Sequence, residues 1–177
     1  MNDRKTRIYP PLFLASTTIL CWRCRTTMPA VCLVAPKVPG TEAQVCTLSD
    51  VTELPLVVLA FIQKRFPSFK LKFSKTTRSE YYANTCPRCG ILSGDFHLHS
   101  EPGAPFFPES EADAARLTIE QIPIDGPIEV VAGLGMGGGD MILEHGTRRT
   151  QTIETTMMRG LASTAVSPLD ALEKAVG

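Results

Sequence analysis

No run of this chain reaches the roughly 18 to 20 apolar residues that a membrane-spanning helix requires, so the sequence predicts no membrane span. Net charge is missing as well, because eighteen basic and eighteen acidic side chains cancel. The motifs of common nucleotide-using and hydrolytic enzymes are also absent: there is no P-loop lysine, no nucleophile elbow and no HExxH pair. One glycine run needs separate treatment. Gly133-Leu134-Gly135-Met136-Gly137-Gly138 satisfies G-x-G-x-x-G after an apolar stretch. A dinucleotide loop, however, opens a helix and continues into further βαβ units. Here Asp140 to His145 alternates like a strand, and only 37 residues follow Asp140. The run reads as a hairpin connection between strands at 128–132 and 141–145, and no nucleotide cofactor is expected.

The zero net charge conceals a strong asymmetry. Residues 1–90 carry thirteen basic and five acidic side chains, and residues 91–177 carry five and thirteen. With 177 residues and 44 % hydrophobic content, the chain can bury one ordinary core. We expect a domain over 1–146 and a loosely ordered tail over 147–177, with a short helix at 168–176 behind Ser167. Arg4, Lys5 and Arg7 precede an apolar stretch as in a secretory leader. Pro10, Pro11 and three hydroxyl residues interrupt that stretch, and Leu20 before Cys21 does not suit a lipoprotein site. A reduced, cytoplasmic chain is therefore expected.

What is present in quantity is cysteine arranged in frames. Cys21-Trp22-Arg23-Cys24 and Cys86-Pro87-Arg88-Cys89-Gly90 are two C-x-x-C turns, each able to supply two thiolates to a tetrahedral Zn²⁺ site. Pro87 presets φ after the first ligand, and Gly90 can adopt the positive φ needed where the chain folds back under the sulfurs. The competing reading is a redox pair, which wants a low-pKa thiol at a helix N-terminus after a strand. Strands flanking both frames favour the metal: one structural Zn²⁺ per chain held by Cys21, Cys24, Cys86 and Cys89. Cys32 and Cys46 stand in apolar surroundings and read as small buried hydrophobes.

Strands are predicted at 12–20 and 28–35 around the first frame, at 44–48, at 70–74, and at 80–85 leading to the second. Asp50 and Glu53 have capping-box spacing ahead of Pro55, so a helix should run to Arg65, stopped by Pro67. Leu56, Val57, Val58, Leu59, Phe61 and Ile62 make it apolar nearly all round, predicting burial on more than one side. Residues 90–99 read as a short strand or helix, 101–108 as irregular because of its prolines, and 109–115 as a brief acidic helical turn.

The paired frames and their hairpins resemble the zinc-ribbon superfamily, here split by the long insertion 25–85. The run CPRCG, GILSGDFHLHSEPGAPFFP also resembles uncharacterised bacterial split-ribbon proteins, a likeness that implies no activity. The expected class is α+β: a mostly antiparallel sheet on a split zinc ribbon, with one buried helix and a C-terminal hairpin.

Two further groups bear on function. Lys64, Arg65, Lys70, Lys72, Lys75 and Arg78 are interleaved with Phe66, Phe69 and Phe73 and no acid. Basic groups neutralise phosphates and aromatic faces stack on bases, although the phenylalanines can equally be core and the acidic half can cover the patch. His97 and His99 would share one face of a strand and could act as ligands or general bases. The function expected is a non-enzymatic, zinc-stabilised binding or adaptor protein with a protein partner. The alternatives are a nucleic-acid binder using 63–78 and an enzyme using His97 and His99.

Overall fold

The computed structural model describes residues 5–42 and 44–149. In chain order the elements are β1 (Lys5–Ile8), β2 (Leu12–Leu20), β3 (Thr27–Ala35), β4 (Cys46–Glu53), α1 (Leu56–Arg65), β5 (Phe69–Ser74), β6 (Ser79–Thr85), β7 (Leu92–Ser93), α2 (Asp95–His99), α3 (Glu111–Ala114), β8 (Thr118–Ile122), β9 (Ile128–Gly135), α4 (Gly139–His145) and β10 (Thr147–Arg148). Seven strands form one sheet in the order β1-β9-β4-β3-β2-β8-β10, and β5-β6-β7 form a second. Every pairing is antiparallel except the short β8–β10 contact. The α+β class read from the sequence is the one observed.

β3 owes its unbroken apolar sequence to burial on both faces of the large sheet. Val31, Leu33 and Ala35 enter a core with Leu12, Leu14, Val58, Ile62 and Phe69, between that sheet, α1 and β5. Ala30, Cys32 and Val34 enter a second core with Leu98, Phe106, Leu117 and Ile142 on the opposite face. Each large apolar side chain so buried contributes about 1.5 to 3 kcal/mol before chain entropy is subtracted.

β3 and β4 are paired only over Leu33–Ala35, and beyond Leu48 the residues of β4 pair with β9 alone. The edge of β3 near Val31 is thereby left open. Asn84 of β6 closes it: its Oδ1 accepts the Val31 N–H at 2.8 Å and its Nδ2 donates to the Val31 carbonyl at 3.0 Å. Two residues earlier on the same edge stands Pro29, which has no N–H to leave unpaired. One side-chain amide thus does the work of a missing strand and ties the small sheet to the large one.

Several local expectations are corrected. Asp50 and Glu53 both lie in β4, so no capping box forms, and α1 begins at Leu56 behind Pro55. α1 is not buried on several sides: only Val58 and Ile62 are fully enclosed, whereas Leu56 and Val57 are 81 % and 58 % exposed. The second arm of the expected C-terminal hairpin, 141–145, is helix α4. Its chain enters at Gly139, where a Cβ would collide with the Val45 carbonyl, so close packing of the helix start on the segment leading into β4 explains that glycine. A helix therefore does follow the G-x-G-x-x-G run, but β9 pairs antiparallel on both sides and no βαβ unit forms. The tail helix expected at 168–176 lies outside the described residues.

Candidate metal centre

Each C-x-x-C frame closes a hairpin. The first joins β2 to β3, where Leu20 pairs with Thr27, and the second joins β6 to β7, where Thr85 pairs with Leu92. The two turns repeat one hydrogen-bond pattern. Cys21 N–H donates to Thr26 O at 2.9 Å and Arg25 N–H to Cys21 O at 2.9 Å, while Cys86 N–H donates to Ile91 O at 2.8 Å and Gly90 N–H to Cys86 O at 2.9 Å. Both turns need a left-handed residue at the same place. Gly90 supplies it at φ +69°, as the sequence predicts, and its counterpart is Arg25 at +59°.

The turns bring their sulfurs face to face. Cys21 Sγ lies 3.7 Å from Cys89 Sγ and Cys24 Sγ lies 3.6 Å from Cys86 Sγ, with all four atoms within 4.8 Å of one another. The two close contacts are too long for S–S bonds and lie near the edge of about 3.8 Å that a tetrahedron of Zn–S bonds near 2.3 Å would have. Four soft sulfur donors in that geometry fit a closed thiolate site. Cys21 and Cys86 are buried beside Met28, with Cys24 and Cys89 half-exposed beside them and Ile19 and Ile91 packed around. Two further bonds cross between the knuckles: Trp22 Nε1 donates to Leu92 O at 3.0 Å, and Arg88 donates to Thr26 Oγ1 at 3.0 Å.

The thiols do not ionise alike. Hydrogen bonds from the Thr26 hydroxyl and backbone pull Cys24 down to about 6. The Cys24 N–H lowers Cys21 against desolvation. The Ile91 N–H also pulls Cys89 down, but desolvation and the other three thiols outweigh it and push Cys89 up to about 11. A bound cation would take all four to thiolate.

The other cysteines behave as small apolar groups. Cys32 and Cys46 are buried, and burial raises both thiols.

The histidines are not brought together. They lie on α2 rather than a strand, and two helical steps turn the side chains about 200° apart. His97 is exposed, 3.5 Å from Glu101, whereas the His99 ring packs tilted against Phe106 with centroids 5.2 Å apart and its Nδ1 lies 3.8 Å from Cys32 Sγ. Burial holds His99 down at about 4, hence uncharged at neutral pH.

The basic stretch divides. Arg65 is committed internally: it pairs with buried Glu120 at 2.9 Å and lies over the Phe61 ring at 3.9 Å. Phe69 is core and stacks on Tyr82 at 5.9 Å. Lys64, Lys70, Lys75 and Arg78 are exposed and Lys72 is half-exposed. Among the described residues, Arg65–Glu120 is the one ion pair joining this stretch to the acidic half.

Two features had no sequence signal. One is the Asn84 bridge. The other is a carboxylate pair: Asp95 on α2 accepts the Asp50 N–H at 2.7 Å, and burial pushes its carboxyl up to about 7. Both depend on tertiary contacts between distant segments.

Comparison with protein-family models, curated proteins and solved structures gives no match to this chain.

Proposed function

We propose that the protein is a non-enzymatic binding module whose two sheets are pinned together by one structural Zn²⁺ on Cys21, Cys24, Cys86 and Cys89. The observation that carries it is the placing of two thiols on a hairpin of each sheet, with all four sulfurs within 4.8 Å of one another. Four thiolates fill a tetrahedron, which is the donor set of structural zinc sites, and binding energy there is folding energy. The six unpaired thiols suit a reducing compartment, for which we propose the cytoplasm. No helix among the described residues is long and apolar enough to cross a membrane.

Elemental analysis of purified protein should give one zinc per chain. Replacement by Co²⁺ should give the intense visible bands of a tetrahedral tetrathiolate. Chelation should lower Tm, and Cys21→Ser and Cys86→Ser should be equally damaging. Metal-free protein with an unchanged melting curve would refute the proposal.

The partner proposed is a protein. The exposed Leu71 and Phe73 on edge strand β5 are an apolar strip of the kind that partners cover. A second reading is supported by Lys64, Lys70, Lys72, Lys75 and Arg78, which have no ion pair among the described residues: a nucleic acid lying along β5. Its signature is affinity falling steeply with salt, with a slope flattened by about 0.7 to 0.9 per phosphate contact when Lys70, Lys72 and Lys75 become Ala. Arg65, bound to Glu120, is left out of that surface.

A further inference from the structure

A cleft of about 380 Å³ opens beside the first knuckle, between Trp22 and the small sheet on one side and α2 on the other. Asp50, Asp95 and Tyr81 line it together with Trp22 and Phe96. Its central feature is a bulge in β4. The β4–β9 register breaks between Ser49 and Glu53, and Asp50 within the break has φ +47°. A left-handed non-glycine residue in a strand is disfavoured and persists only where its surroundings hold it. Here the holding group is the Asp95 carboxylate, which takes the Asp50 N–H. Bulges of this kind re-aim a side chain, and Asp50 lines both this cleft and a larger recess of about 870 Å³.

The charge of the cleft has one sign. Its titratable lining groups are Asp50, Asp95, Tyr81 and His97, with no lysine or arginine, and His97 faces Glu101. The larger recess contains Lys5 and Arg7, but these pair with Glu53 and Glu129. Among hydroxyl-bearing residues such as Ser74, Thr76 and Thr77, the walls of the cleft include two exposed aromatic rings. Trp22 and Phe96 are each 62 % exposed, and the Trp22 indole is fixed by its hydrogen bond to Leu92 O. Aromatic faces and a carboxylate together attract an organic cation, through the ring quadrupoles and the opposite charge. A hard divalent metal would instead need several oxygen ligands, and among the described residues the four cysteines are the one cluster of three or more ligating groups.

Resting on the binding-module function proposed above, we infer that the cleft between Trp22 and Phe96 receives the ammonium or guanidinium head of a lysine or arginine side chain of the partner, with Asp50 as its counter-ion. Position 22 holds the chain's single tryptophan, so intrinsic fluorescence reads the site directly.

The full zinc-loaded chain is titrated with a short Gly-Arg peptide, argininamide, tetramethylammonium, maltose and matched NaCl. Saturable change with the cations, absent with maltose and NaCl and tightest with the peptide, is the expected result. Asp50→Asn should weaken binding about tenfold, in line with the loss of a charge-assisted contact, and asparagine tolerates the left-handed backbone, so the variant should fold. Phe96→Ala should weaken it about threefold. No saturable change in protein that carries zinc and melts normally overturns the inference and leaves the zinc function standing. Absence of zinc overturns the function itself. A response to maltose alone, or an undiminished response in Asp50→Asn, overturns the cation assignment. Equal affinity for the peptide and for free cations overturns the partner side chain as the source.

Discussion

Replacing Asn84 by alanine should be among the most damaging single changes outside the cysteines. In the native protein its amide satisfies the Val31 N–H and C=O at 2.8 and 3.0 Å, and Asn84 is only 3 % exposed. Alanine leaves both backbone groups buried beside a small void, with no strand to replace the lost partner. Each unsatisfied group costs about 1 to 3 kcal/mol, giving roughly 2 to 6 kcal/mol in all. Typical domain stability is about 5 to 15 kcal/mol, so a large share of the total is at stake. Because Cys86 follows directly on β6, two residues beyond Asn84, the change should also weaken metal retention. Urea denaturation of zinc-loaded protein gives the stability loss, and competition with a chromophoric chelator gives the zinc affinity. Asn84→Asp is the informative companion, since its carboxylate still accepts the Val31 N–H but opposes the Val31 carbonyl, and protonation at low pH restores the donor. A loss below about 1 kcal/mol in Asn84→Ala, with zinc affinity unchanged, would show that water or a shift of β3 replaces the amide and that the bridge does not join the sheets.

The knuckles predict opposite responses at equivalent positions. Gly90→Ala should lower stability by about 1 to 2 kcal/mol through its left-handed φ alone, because a Cβ there meets nothing within 4 Å. Arg25→Gly should relieve the same strain and raise Tm, and a loss of Tm in that variant would refute the equivalence. Asp95 sets a pH trend. Its carboxyl in the folded state, at about 7, lies above the ordinary 3.8, so the folded chain binds the proton more tightly than the unfolded one. The stability this provides is complete below about pH 4 and is lost as pH rises through about 7, by at most about 4 kcal/mol. Asp95→Asn keeps an acceptor for the Asp50 N–H and should flatten that part of the profile. Asp50, raised by burial, and Tyr81, pushed up to about 12 mainly by burial, remain as the neighbouring titrating groups. Denaturation of both proteins at several pH values measures the difference, and parallel profiles would refute the assignment.

The four-cysteine cluster was legible in its halves because everything each frame needs locally lies within a few residues: two cysteines, a tight turn and a position for positive φ. What spacing could not supply was the meeting of the two frames, which rests on the packing of β6 against the large sheet. β2 and β3 were legible for a different reason, their β-branched residues Thr17, Thr18, Ile19, Val31 and Val34 flanking a tight cysteine turn. At 140–145 the run was too short to decide between strand and helix. Asp140 and Glu144 fit a strand's wet face and a helix's wet face equally well, and the helix prevailed through the packing of Gly139 on Val45. The same ambiguity misplaced His97 and His99 on one face. Asp50 and Glu53 imitated a capping box only because a spacing of three recurs by chance in a strand. The bulge at Asp50 and the amide of Asn84 answer to partners 45 and 53 residues away, at distances where a local pattern carries no information.

The two knuckles sit at the ends of a long excursion of the chain, with Cys24 and Cys86 62 positions apart. A metal that ties these points acts on the unfolded polymer as well as on the native site, removing loop-closure entropy worth about 4 kcal/mol if the link behaves as a covalent cross-link would. Each hairpin can hold a metal by two thiols before the other arrives, so assembly resolves into local capture followed by ring closure. Release runs the other way and requires the two hairpins to separate. The rate at which a chelator extracts the ion then serves as a clock for how often the sheets part, readable without any knowledge of the partner.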